Sequence, residues 1–150
     1  MEFGNESMEK LDLKDFRKWK EANKERDFSL FDYIFQMKNL NNLSSDIFFG
    51  FYELCWPTFL TYKNYVFLKE TFSQQKVDRL SSENAEVEFW INFLSIDPYF
   101  ETELETELFA KKLVETWSQK LIYEFPGKHF IVEHFSDEDT GDYGVTFYQK

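Results

Sequence analysis

Aromatic side chains constrain this chain more than any other feature, because 19 Phe, 8 Tyr and 4 Trp make up 21% of its 150 residues. A chain of this length buries roughly two-thirds of the surface that its unfolded form exposes. Large rings must therefore fill most of the interior, and such a composition argues against disorder over the bulk of the chain. We expect one folded domain over residues 1–150, with residues 1–9 frayed.

The spacing of apolar residues predicts five or six helices and four strands. Helical spacing recurs in Leu11–Asn23, after Ser29, over Ile47–Cys55, near Val77, from Ala85 to Leu94 and from Leu104 to Leu121. Strand-like runs form two predicted hairpins, Thr58–Tyr62 with Tyr65–Lys69 and a strand around Val132 with one over Tyr143–Tyr148. Because strands and helices do not alternate, the predicted class is α+β with a small antiparallel sheet of about four strands.

Local signals support several of these boundaries. Ser29 followed by Asp32 is a variant of the capping box that begins a helix. Pro57 and the pair Pro126 and Gly127 are helix stops. Asn64 in the first hairpin accepts a positive φ, although the preferred glycine is missing there.

The net charge of −11 is unevenly distributed along the chain. Residues 10–26 form a predicted basic amphipathic helix, in which seven basic residues oppose four acidic ones. The remainder is strongly acidic and repels phosphates, so we expect no binding to nucleic acid and none to a membrane. The interspersed acidic residues favour a solvated, salt-bridged face for the basic helix. The alternative is that this helix docks on an acidic partner, on a membrane or on this protein's own acidic surface.

Cysteine usage and the N-terminal pattern favour a cytoplasmic protein. Cys55 is the single cysteine, which allows neither an intramolecular disulfide nor a cysteine-based zinc site. Residues 1–20 contain no long apolar run of the kind found in a signal peptide. The apolar and slightly acidic neighbours of Cys55 favour a buried, inert thiol over a nucleophile.

No cofactor and no metal site is expected from the motifs present. The five glycines form neither a dinucleotide fingerprint nor a phosphate-binding loop. The acidic segment 137–142 places Gly141 at the fifth position of a calcium loop rather than the sixth, so a solvated hairpin turn is preferred to a cation site. His129 and His134 are expected on opposite faces of a strand, where they cannot readily share a metal.

Two further features leave alternatives open. His129 and Glu133 share a strand face and offer an acid and a base, although a histidine in a half-exposed strand is more often structural. The aromatic segment 48–65 is either all core or partly a binding surface.

The function predicted from charge, size and absent motifs is that of a non-enzymatic interaction module, an immunity-like or antitoxin-like inhibitor of a basic protein partner. The alternative is a small-ligand-binding or hydrolytic domain that uses His129 and Glu133. No catalytic residue is assigned, and the oligomeric state is left open. The predicted partner-binding residues are the carboxylates at the start of the long helix and in the acidic turn: Glu101, Glu103, Glu105, Glu107, Asp137, Glu138, Asp139 and Asp142.

Overall fold

The computed structural model describes residues 11–150. Contacts divide the chain into two compact units, residues 1–51 and residues 52–150, and the boundary falls within the helix Ser45–Cys55. Residues 1–9, predicted to be frayed, and Lys10 of the basic segment lie outside the described residues. The expectation of one domain stays a prediction, and each unit is described separately.

The first unit contains helices α1 (Lys14–Ala22) and α2 (Leu30–Leu40) and the first turns of α3 (Ser45–Cys55). Trp19 of α1 stacks on Phe28 with 4.9 Å between the ring centroids and meets Tyr33 of α2 at 5.5 Å. Phe16 contacts the same tyrosine ring at 5.5 Å. The predicted apolar stripe of α1 therefore packs against α2, although the helix is shorter than Leu11–Asn23.

The N-terminus of α2 has the capping box that the sequence predicts. The Asp32 carboxylate accepts a hydrogen bond from the Ser29 backbone N–H at 2.7 Å, and Ser29 Oγ accepts one from the Asp32 N–H at 3.2 Å. These bonds satisfy backbone donors that a helix start leaves without partners. The hydrogen bonds that the Asp32 carboxylate accepts from the Ser29 N–H and hydroxyl also lower the pKa of Asp32.

The second unit begins with a hairpin of β1 (Phe59–Tyr62) and β2 (Tyr65–Leu68), paired antiparallel. Its two turn residues, Lys63 and Asn64, have φ values of 51° and 68°. Positive φ at both central positions matches the right-handed twist of hairpin strands, which confirms the predicted turn. A 3-10 turn (Lys69–Thr71) and helix α4 (Gln74–Ser82) follow.

A second antiparallel sheet has the order β3-β5-β4 and is formed by β3 (Leu94–Ser95), β4 (Phe130–Ser136) and β5 (Tyr143–Gln149). Helix α5 (Val87–Ile91) precedes it in the chain, and a 3-10 turn (Asp97–Tyr99) and the long helix α6 (Glu103–Glu124) lie between β3 and β4. The α+β class is confirmed. The described strands number five in two sheets, rather than four in one.

The extra strand occupies part of the helix expected from Ala85 to Leu94. That helix spans only Val87–Ile91, and Ser82 belongs to α4, where its hydroxyl donates a hydrogen bond to the Arg79 carbonyl. Leu94 pairs with Val145 because Gly144 lets the two backbones approach: a Cβ at Gly144 would collide with the Leu94 carbonyl. This long-range fit has no signature in the local periodicity.

The main core lies between α6 and the sheets. Trp117, Leu113 and Leu121 of α6 pack with Val145 and Phe147 of β5. The Trp117 indole N–H donates to the Leu54 carbonyl at 2.8 Å, so the polar edge of this buried ring has a partner.

Lys120 also lies in this interior, although its charge alone predicts an exposed position. Its Nζ donates to the Pro57 carbonyl at 2.7 Å and pairs with Glu124 at 3.0 Å. The ammonium lies 5.5 Å from the centroid of the Phe59 ring. The buried lysine thus ties α6 to the segment before β1.

Two polar side chains of the α5 segment connect the sheets. Asn92 accepts a hydrogen bond from the Leu68 N–H at 2.9 Å and donates to the carbonyls of Val66 and Phe147 at 3.0 and 3.1 Å. Glu88 accepts from the Val66 N–H at 2.8 Å. The free edge of β2 is thereby paired with side chains instead of another strand.

None of the helices within residues 11–150 is long and apolar enough to cross a membrane.

Candidate functional site

A groove of about 480 Å³ lies where the start of α6 meets the turn between β4 and β5. It brings together the two acidic segments singled out from the sequence. We call it the acidic groove, and none of the described residues that line it is Lys, Arg or His. Its side chains include Asp97, Phe100, Glu101, Glu103, Glu107 and Tyr143.

The first turn of α6 positions the glutamates of this groove. Thr102 Oγ1 accepts from the Glu105 N–H at 3.2 Å, and the Glu105 carboxylate accepts from the Thr102 N–H at 3.1 Å and its hydroxyl at 2.8 Å. This capping box fixes the start of the helix. Glu105 therefore has a structural role, and it is not among the residues that line the groove.

The glutamates that line the groove, Glu101, Glu103 and Glu107, are exposed. Glu107 forms an exposed ion pair with Lys111 at 3.0 Å, and the hydrogen bond from Lys111 lowers the pKa of Glu107. The carboxylates of Glu101 and Glu103 are exposed and form no hydrogen bond or ion pair with another residue in the described part of the chain. These two groups remain available to an external cation.

Asp97 lines the groove and is hydrogen-bonded to β5. Its Oδ1 accepts from the Ser95 hydroxyl at 2.8 Å and from the Tyr143 N–H at 3.1 Å. Both bonds favour the ionised form and lower the pKa of Asp97. Sequence analysis did not select this residue, because its partner in β5 is 46 positions away.

The four carboxylates predicted in the acidic turn, Asp137, Glu138, Asp139 and Asp142, are not among the residues that line the groove. Asp137 Oδ1 accepts from the Asp139 N–H at 3.0 Å, and Gly141 has a φ of 78°. Asp137 thus shapes the turn, whereas Glu138 and Asp139 are exposed and Asp142 is half-buried. The groove itself is lined by Ser136 and Gly141 from this segment. No group of three or more potential metal ligands occurs among residues 11–150.

His129 and Glu133, the predicted acid-base pair, line different grooves. His129 lies beside Lys128 and Lys150 at a groove of about 680 Å³, whereas Glu133 lines one of about 550 Å³. The Glu133 carboxylate accepts from the Tyr148 hydroxyl at 3.2 Å. The structure does not bring the pair into one site.

The remaining candidates have structural partners. Cys55 is a half-buried free thiol packed against the main core, and burial raises its pKa, which disfavours the reactive thiolate. His134 Nδ1 lies 2.9 Å from the Tyr143 hydroxyl, and the two rings stack.

The aromatic segment 48–65 divides between surface and core. Phe49 and Tyr52 of α3 are 74% and 66% exposed. Phe59 packs edge-on against Phe147 with 5.2 Å between the ring centroids. Part of the segment is therefore surface.

Sequence analysis missed Glu88, a buried carboxylate at the groove that Glu133 also lines. The available signal was a charged residue between the apolar positions Val87 and Phe89. Such a residue on a buried helix face requires polar partners, since an unpaired buried charge is costly.

Comparison of the chain with protein-family models, with curated proteins and with solved structures finds no match.

Proposed function

We propose that this protein is a non-enzymatic interaction module that binds a basic protein partner through the acidic groove, in the manner of immunity-like or antitoxin-like inhibitors. The observation that supports the proposal most directly is that the acidic start of α6 and the turn between β4 and β5, far apart in sequence, line one groove whose described lining contains no basic side chain. Residues 52–150 add a wider field, since they carry 18 acidic residues against nine basic ones.

The exposure of the groove carboxylates suits rapid recognition. Exposed charges keep their hydration until contact, and complementary fields steer a basic partner towards the surface and raise the association rate. We assign Glu101 and Glu103 as the first contacts with the partner. The exposed Glu138 and Asp139 in the neighbouring turn extend the negative electrostatic field around the groove.

Aromatic side chains in the groove supply the apolar part of the contact. Phe100 packs against Phe109 with 5.0 Å between the centroids, so its ring is held in place before binding. Tyr143 is held by His134. Rigid aromatic groups surrounded by charge are typical anchors of protein interfaces.

The test compares three immobilised proteins in lysate of the source organism, with bound proteins identified by mass spectrometry. The groove variant carries Glu101→Gln, Glu103→Gln and Glu107→Gln. Its matched control carries Glu21→Gln, Glu70→Gln and Glu83→Gln, which remove the same charge at other exposed positions.

We expect a basic protein to be retained by the wild type and by the control and to be lost from the groove variant. Retention of the same proteins by all three would contradict a role for the groove. Equal loss from both variants would show that only net charge matters, which also contradicts it.

A further inference from the structure

A second groove, of about 550 Å³, lies between α5 and the outer face of β4 and β5. We call it the aromatic groove, because it is lined by the rings of Phe89, Trp90, Phe135 and Tyr148. Phe89 and Phe135 meet at 5.1 Å with an interplanar angle of 85°, and Trp90 and Phe135 meet at 6.4 Å with an angle of 89°. These rings pack edge to face, and Trp90, which is 44% exposed, presents aromatic surface to solvent.

Three carboxylates line the same groove, those of Glu86, Glu88 and Glu133, and its described lining contains no Lys, Arg or His. Glu88 is only 7% exposed. Its oxygens accept from the Val66 N–H at 2.8 Å, the Gln149 N–H at 2.9 Å and Gln149 Nε2 at 2.7 Å. Within residues 11–150 this buried charge has dipoles around it but no ion pair.

The Tyr148 hydroxyl lies close to two of these carboxylates. Burial raises the pKa of this hydroxyl, and the nearby charges of Glu133 and Glu86 raise it further. A cation in the groove would meet both the carboxylates and the faces of the rings.

We propose that the aromatic groove binds a methylated ammonium group, carried either by a small molecule or by a modified side chain of a peptide. Methylation makes an ammonium large and weakly hydrated, so aromatic faces replace its water at low cost and attract its charge. The carboxylates supply the opposite charge. The acidic groove shares no lining residue with this one, and the inference does not rest on the proposed function.

The experiment is an NMR titration that follows the indole N–H signals of the four tryptophans. The Trp90 signal is identified by its absence from Trp90→Phe. The probes are choline, a short peptide containing trimethyllysine, and 3,3-dimethylbutan-1-ol, which has the shape of choline without the charge.

We expect choline, the peptide or both to shift the Trp90 signal saturably, and the neutral alcohol to leave it in place. Binding of choline would identify the ligand as a free small molecule. Binding of the peptide alone would identify it as a methylated side chain of a partner. Loss of one ring or one charge, in Phe135→Ala or Glu133→Gln, keeps the Trp90 signal and is expected to weaken binding about tenfold. Tyr123→Ala, which removes an aromatic residue that is 77% exposed on α6, is the control and should bind as the wild type does.

Two results would overturn the proposal. One is an equal shift with the neutral alcohol, which would show an apolar groove indifferent to charge. The other is no shift with either cation at millimolar concentration. Glu133→Gln separates a binding effect from misfolding, since the glutamine still accepts the Tyr148 hydrogen bond.

Discussion

At the scale of single residues, the Asn92 side chain connects two strands that belong to different sheets. One amide group accepts from Leu68 and donates to Val66 and Phe147, so it satisfies backbone groups of β2 and β5 together. Each of these groups is remote from water, and a buried donor without a partner costs about 1–3 kcal/mol.

Asn92→Ala should therefore lower the free energy of unfolding by about 3 kcal/mol or more, since three hydrogen bonds disappear at once. Denaturant unfolding measures the effect. Asn39→Ala, at an exposed position in α2, should stay within about 0.5 kcal/mol of the wild type. A similar decrease in the free energy of unfolding in both variants would show that the hydrogen bonds of Asn92 do not stabilise the fold specifically.

Asp97 gives a pH-dependent prediction. Its folded-state pKa is lowered by the hydrogen bonds from Ser95 and Tyr143, so its contribution to stability is present above the unfolded value of about 3.9. That contribution is lost as the pH falls through the folded pKa. Asp97→Ala should be about 1–2 kcal/mol less stable than the wild type at neutral pH.

The difference in free energy of unfolding between the wild type and Asp97→Ala should then become smaller as the pH is lowered. Unfolding curves of both proteins at a series of pH values measure this difference. Because the other carboxylates titrate in both proteins, their contributions cancel when one free energy of unfolding is subtracted from the other. A difference that stays constant into strong acid would show that the ionised carboxylate is not the stabilising group.

At the scale of elements, the pairing of β3 with β5 depends on the absence of a side chain at Gly144. A Cβ there would meet the carbonyl of Leu94, so Gly144→Ala should separate β3 from β5 and cost about 1–3 kcal/mol of unfolding free energy. Gly127→Ala is the control, because a Cβ there meets nothing within 4 Å. Thermal unfolding compares the two, and equal stability would contradict the close approach.

Elements governed by local chemistry could be predicted from the sequence. The capping box at Ser29, the turn at Lys63 and Asn64 and the stop at Pro57 depend on neighbouring residues alone. Strand β3 could not be predicted, because two residues carry no periodicity and pair only through the distant Gly144. Helix α5 is short for the related reason that β3 takes the residues beyond it.

The candidate site could be predicted only in part, because its residues are close in space but distant in sequence. Charge alone selected the segment around Glu103 and the turn around Asp139. Their meeting at one groove requires the tertiary fold, and so does the assignment of Glu105 to a helix cap. Asp97 and Glu88 were missed because their roles depend on partners in β5.

At the scale of the whole molecule, the proposed binding of a basic partner depends on negative charge concentrated at one surface. The net charge of −11 attracts any basic protein weakly, and added salt screens that attraction over about 10 Å at 0.1 M. A specific interface differs in that removing the groove carboxylates changes the salt dependence more than removing equal charge elsewhere.

The most direct measurement is the dissociation constant of the partner retained in lysate, determined from low to high salt for the wild type, the groove variant and the matched control. We predict that the affinity of the wild type and that of the control for this partner decrease in parallel as the salt concentration rises. The groove variant should bind the partner at least tenfold more weakly at low salt, and its affinity should depend less steeply on salt. Three coincident curves, or an affinity that salt does not change, would contradict recognition through the acidic groove.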